Sequence, residues 1–149
     1  MTRLSEHFTL DELTLSQTAA RLGLSNTPSR DAITNLTDLC DLLEDVRSLL
    51  GDHPLLISSG YRSSELNRAI GGSATSRHVF GLAVDFTVPR YGSPLAVAKA
   101  IAASDLPFDQ VIHEFGRWVH LGMSLPGEKP RRQTLTIRNS SEGYLPGLR

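Results

Sequence analysis

The segment Leu82-Ala83-Val84-Asp85-Phe86-Thr87-Val88 places the tightest constraint on how this chain can fold. Leu82, Val84, Phe86 and Val88 alternate with Ala83, Asp85 and Thr87, the period of a strand whose apolar face lies on a core. Asp85 stands in the middle of that strand. An unpaired carboxylate there costs several kcal/mol, so it needs a cation, whether Arg, Lys or a metal ion. His78 lies seven residues earlier. On one continuous strand the two would be about 23 Å apart, and on one helix about 10 Å, so sharing an ion requires the chain to turn back between them. Gly81 is where that turn costs least, and Ala83 leaves space beside the carboxylate. A third ligand should come from a neighbouring strand, and His120, within the apolar run Trp118-Val119-His120-Leu121-Gly122, is the natural candidate. Two histidines and one aspartate leave a fourth position on Zn²⁺ for water, the arrangement of a catalytic rather than a structural site. His and carboxylate also suit other divalent ions.

Composition narrows the alternatives. The only cysteine, Cys40, excludes an internal disulfide framework and a cysteine-rich zinc ribbon, so any metal ligands must be sought among carboxylates and His7, His53, His78, His113 and His120. With 149 residues, 40% hydrophobic and 21% charged, one packed domain spanning 1–149 is expected, its core over about 5–125 and a C-terminal strand and tail over 126–149. Fifteen Lys+Arg against sixteen Asp+Glu argue against nucleic acid as a partner. The charge is graded, with ten acids and five bases in residues 1–66 but two acids and six bases in 117–149. That basic end reads either as scattered solvated charge or as a surface for an anionic polymer. No apolar run reaches membrane-spanning length, and MTRLSEHFTLDEL lacks the apolar region of a signal peptide. The expectation is cytoplasmic synthesis, no membrane partner and a monomer.

A helix is predicted over about 30–50, with Ser29 as N-cap, Gly51 at its end and Cys40 on its apolar stripe as a buried thiol. A short strand follows at Leu55–Ser59, then a short helix from Ser63 or Ser64. Ser93 and Pro94 open another helix. Strands are expected at QVIHEF, WVHLGM and QTLTIR, the first two forming a hairpin across Gly116-Arg117. The fold class is α+β, with a small antiparallel sheet that carries the metal site and flanking helices. Residues up to 28 are less readable and are expected to wrap the surface.

Ser76-Arg77-His78-Val79-Phe80-Gly81-Leu82-Ala83-Val84-Asp85 resembles the S-x-H-x-x-G-x-A-x-D signature of the zinc D-Ala-D-Ala carboxypeptidase family. That family includes bacteriophage endolysin peptidases cutting L-Ala–D-Glu bonds and shares its fold with lysostaphin-type peptidases and hedgehog domains. Trp118-Val119-His120 resembles the family's W-x-H element, and Ser59-Gly60-Tyr61-Arg62 with Asn67 its S-x-Y-R-x-x-x-x-N segment. The opening SEHFTLDELTLSQTAARLGLSN resembles the lead-in of the phage and prophage branch.

The resemblance implies one zinc per chain, bound by His78, Asp85 and His120, and hydrolysis of a peptidoglycan stem peptide in the cell wall. The enzyme would reach that substrate in phage or prophage lysis, after holin-type release or as a virion component. Arg62 would polarise the scissile carbonyl or stabilise the oxyanion. A cation at a helix N-terminus opposes the helix dipole, so it should point at an anion; its other reading is a surface salt bridge with Glu65. Ser76 would hydrogen-bond substrate or stabilise its loop, and Trp118 would pack beneath the ligands or line the substrate groove.

Many relatives carry a general base three residues before the last ligand, a position held here by Arg117. Glu114 is the expected base and His113 the alternative, and hairpin register decides between them. A two- or four-residue loop pairs His113 with His120. A three-residue loop pairs Glu114 with Trp118 and puts Glu114 on the face of His120. If neither reached the open metal position, the fold would instead suit a catalytically inactive, zinc-stabilised binding module. His7, His53, Asp105 and Asp109 are left outside the site, the two aspartates as caps.

Overall fold

A computed structural model describes residues 2–149. The elements in chain order are α1 (Leu10–Thr14), α2 (Gln17–Leu22), α3 (Arg30–Leu49), β1 (Leu56–Ser59), α4 (Ser64–Ala69), a 3-10 turn (Arg77–Phe80), β2 (Ala83–Thr87), α5 (Pro94–Ala102), β3 (Gln110–Glu114), β4 (Trp118–Gly122), β5 (Gln133–Ile137) and β6 (Tyr144–Pro146).

The helices follow their sequence signals. Ser29 caps α3 through its side chain, and the buried stripe Ala32, Leu36, Leu39, Cys40, Leu43 and Val46 repeats at helical spacing. Cys40 is fully buried, and that burial first, with the field of Glu12, Glu44 and Asp41 added, pushes its thiol up to about 12. Ser93 caps α5 ahead of Pro94, and Val97, Ala98 and Ile101 turn inward. Both helices join one core with Val84, Phe86, Val111, Val119 and Leu121 from one face of the sheet.

The sheet has six strands in the order β1-β2-β4-β3-β5-β6. The α+β architecture is as expected from the sequence, but one pairing is not: β3 and β5 are parallel, while every other neighbouring pair is antiparallel. The cause is where the hairpin ends. β4 runs back to the end of the sheet where β3 begins, and β5 starts from that same end on the other side of β3. A strand beginning beside the start of β3 must run with it. Crossing over one strand spans about 10 Å, a short step for the connection between Gly122 and Gln133.

That crossover is held by Asp109, just before β3. The Asp109 carboxylate accepts from the Arg131 backbone N–H at 2.9 Å and from its guanidinium at 2.7–3.2 Å. Asp109 is thus an ion-pair anchor and not the cap expected of it. Burial by itself would raise its pKa, but the Arg131 hydrogen bonds outweigh that and hold it below the ordinary carboxylate value.

The N-terminal segment does more than wrap the surface. Phe8 and Leu13 are buried in the core, and the Leu13 carbonyl accepts from the Tyr61 backbone N–H at 2.7 Å. Asn26 clamps the loop between β1 and α4, donating to the Thr14 and Tyr61 carbonyls and accepting from the Ser63 N–H at 2.7 Å. The tail likewise joins the sheet as β6, a strand that its polar, glycine- and proline-bearing sequence did not announce.

Asp109→Asn keeps the shape of the anchor and removes its charge. We expect a loss of about 2 kcal/mol at pH 7, from hydrogen bonds to a charged group, read by urea titration. Because the folded pKa is lowered, this contribution is complete above the ordinary carboxylate pKa near ~4 and fades as pH falls below it. The gap between the wild type and the variant should therefore be smaller at pH 3 than at pH 7.

Candidate metal centre

The face of the sheet opposite the helices lines a cleft of about 1100 Å³. Register determines which side chains meet there. Asp85 on β2 pairs with His120 on β4, His120 with Ile112 on β3, and Trp118 with Glu114, so Asp85, His120, Glu114 and Trp118 share this face. His78 comes from the 3-10 turn. Gly81 closes that turn at φ +75, where a side chain is strained. A Cβ there would also stand 2.7 Å from the Ala32 carbonyl oxygen of α3. Asn35 of α3 donates to the Phe80 carbonyl at 2.9 Å. The turn is thus pressed onto the long helix, and the chain doubles back at the glycine the sequence marked.

His78, Asp85 and His120 are all buried, and one donor atom from each lies within 4.8 Å of the others. The Asp85 Oδ1 is 2.9 Å from His120 Nδ1 and 3.4 Å from His78 Nε2; the two imidazoles meet edge to face at 5.1 Å. His78 Nδ1 is 2.7 Å from the Gly60 carbonyl. A carbonyl only accepts, so Nδ1 carries the proton and Nε2 keeps its lone pair. That Nε2 is buried without a hydrogen-bond partner. An orphaned imidazole nitrogen beside a buried carboxylate and a second imidazole is the donor set a divalent ion satisfies, and the residues present fit one.

The electrostatics agree. Burial lowers the His78 pKa, against the pull of Asp85, keeping the ring neutral and able to ligate. Burial would raise that of Asp85, but the two histidines hold it far below the carboxylate range, so it is an anion at any working pH. His120 is pushed down by burial and raised on balance by its Asp85 hydrogen bond and the nearby carboxylates, so without an ion it tends to keep a proton that metal binding must displace.

The hairpin between β3 and β4 has the three-residue loop Phe115-Gly116-Arg117, with φ +58 at Phe115 and +67 at Gly116. Glu114 therefore lies on the cleft face, and its carboxylate accepts from Trp118 Nε1 at 2.7 Å. Burial, first among several influences, raises its pKa. His113 points to the other face and meets the Arg149 carbonyl at 3.1 Å; the structure does not bring it to the metal group. Trp118 lines the cleft and does not lie beneath the ligands.

Arg62 is likewise not in a surface salt bridge with Glu65. Its backbone N–H donates to the His78 carbonyl at 3.1 Å, its Nη1 to Asn67 Oδ1 at 3.2 Å, and its buried Nε has no partner. Burial lowers its pKa while Asp85 and Glu114 pull it back, and a guanidinium remains charged under that balance. Ser76 caps the 3-10 turn, its Oγ accepting from the His78 N–H at 3.3 Å, and borders the cleft. Tyr144 of β6, absent from the sequence-based set, also lines it.

The model of the peptidase M15 family matches residues 6–122. The chain belongs to that family. Residues of this M15 chain are also 34% identical over 70 positions to a zinc D-Ala-D-Ala carboxypeptidase from Streptomyces albus G, a match covering 47% of the chain and 26% of that relative. The chain thus matches about a quarter of the relative's length. Among the described residues, no helix is long and apolar enough to cross a membrane.

The M15 site should take up one divalent ion per chain by calorimetric titration, releasing protons and binding more weakly as pH falls. His120→Ala should weaken uptake at least about a hundredfold. Gly81→Ala, which forces a left-handed residue and a backbone overlap, should cost about 2 kcal/mol and weaken ion binding without touching a ligand.

Proposed function

We propose that this protein is a zinc-dependent peptidase that hydrolyses a peptide bond in peptidoglycan stem peptides, either D-Ala–D-Ala or L-Ala–D-Glu, and serves phage or prophage lysis. The observation that carries the reading is the buried His78–Asp85–His120 group opening on a cleft that also presents Glu114 and Arg62. Family membership and the carboxypeptidase relative support the chemistry, and the phage-like opening segment supports the setting.

His78 through Nε2, Asp85 and His120 would hold the zinc. Bound zinc would supply Lewis acidity, acidifying water toward neutral pH and polarising a carbonyl. Glu114 takes the proton of the attacking water and returns it to the leaving amine. Trp118 fixes one of its oxygens by hydrogen bond, leaving the other free for the proton, and burial raises its pKa toward the working range. Arg62 turns its charge to the oxyanion that develops on the substrate. Its side-chain partner, Asn67, is a neutral acceptor, so the guanidinium keeps its full charge for that anion. The Ser76 Oγ accepts from the chain, which leaves its proton to donate to substrate. The inactive binding-module alternative, motivated by Arg117, calls for both Glu114 and His113 out of reach, and the register of Glu114 opposite Trp118 supports the catalytic reading over it.

Digestion of purified peptidoglycan, with and without chelator, followed by mass spectrometry of new termini tests the reading. Released D-Ala or new N-terminal D-Glu is expected, and no zinc-dependent product would defeat it. Glu114→Gln should reduce turnover at least about a thousandfold with zinc retained. Asn67→Asp should pair Arg62 with a charge and lower kcat about a hundredfold; it also loses the Asn67 donation to the Ser73 carbonyl, so its stability is read separately by urea titration.

A further inference from the structure

Beyond the metal centre, the cleft continues toward the end of the sheet where β3 and β5 begin. Gln110 and Gln133 stand side by side there, joined at 2.8 Å, and the wall beyond them is lined by Arg77 and Arg131. Arg131 is fixed: Asp109 grips its Nε and Nη2 and its backbone N–H, leaving Nη1 without a partner in that grip. The carboxylate that fixes it is only 3% exposed while the Arg131 side chain is 53% exposed, so the anion lies beneath and the cation faces the opening. Arg77 is near enough to act on the same carboxylate and is half-buried along the cleft. A further acid, Glu128, acts on Arg131 from an exposed turn. One guanidinium is thus held over a buried carboxylate at one end of the cleft, with a second close enough to act on the same carboxylate.

The position of this end is set by the strands. Asp109 lies three residues from Ile112, the partner of His120, which is about 10 Å along the strand. A peptide laid along the sheet covers that distance in about three residues. Arg131 and Gln133 also lie outside residues 6–122, the span matched by the family.

We infer that Arg77 and Arg131 form an anion subsite that takes a peptide carboxylate two or three residues from the bond being cut, so that the enzyme selects acidic stem peptides over amidated ones. Arg131 supplies a rigid fork and Arg77 a second cation, and hydrogen bonds to an ionised partner are the stronger ones. The inference rests on the peptidase reading for its substrate and on the cleft geometry for its location.

The test uses two synthetic stem peptides that differ only in a free or an amidated carboxylate. Binding to the metal-free protein is followed by the fluorescence of Trp118, the chain's single tryptophan, which lines the cleft; hydrolysis is followed with zinc added. The free acid should bind about tenfold more tightly and show a similar advantage in kcat/KM. Arg77→Gln should bring that ratio toward one, as should Arg131→Gln, and Arg77→Gln keeps the test valid if loss of the Asp109 pair unfolds the second variant. Equal binding of acid and amide by the wild type, or a preference that survives Arg77→Gln and Arg131→Gln together, overturns the subsite. A wild type that prefers the acid but cleaves neither peptide supports the subsite and defeats the peptidase reading. One that cleaves both alike does the reverse.

Discussion

The buried Asp85 carboxylate, with an imidazole on each side, is the constraint around which this molecule is arranged. An anion in the middle of a sheet is tolerated only if its surroundings are fixed, and each neighbour is fixed by something more distant. His120 is held by strand register. His78 is held by the Gly60 carbonyl and by a turn pressed onto α3. Gly60 in turn sits where a Cβ would be 2.3 Å from the Leu13 carbonyl oxygen, so α1 and the loop before α4 approach as closely as backbones can. The N-terminal segment is a buttress for a ligand it never touches.

The same scaffold orders the two groups proposed to act on substrate. Arg62 leaves the loop that Asn26 clamps and reaches Asn67, itself tied to the Ser73 carbonyl at 2.8 Å. Glu114 is held by an indole two strand positions from His120. Each charged group therefore has a neutral partner, which orients it without cancelling its charge.

Much of this was legible because strands have a period of two. Alternation around Asp85 marked a one-sided strand, the seven-residue separation from His78 demanded a reversal, and Gly81 was the one residue suited to it. Register reduced the choice of base to the length of a loop, and chain geometry settled that at three residues. What stayed hidden depends on tertiary partners. Asp109 has the composition of a cap, and only the crossover brings Arg131 to it. β6 is a strand because β5 offers it an edge, not because Tyr144-Leu145-Pro146 has a strong pattern. Trp118 could have filled a core or a groove, and the hydrogen bond to Glu114 explains why it borders the groove.

The crossover also divides the labour of the cleft between two stretches of chain. Every residue of the metal group, together with Arg62 and Glu114, lies before Met123, whereas the part of the far wall that holds Arg131, Gln133, Leu135 and Tyr144 lies after it. That wall is joined to the rest by the pairing of β5 with β3 and by the Asp109–Arg131 clasp. Substitutions or changes of length within it reshape what the cleft admits while the ligand set stays in register. The ligand set and this part of the cleft wall are thus written in separate parts of the sequence, and the wall can change without moving a ligand.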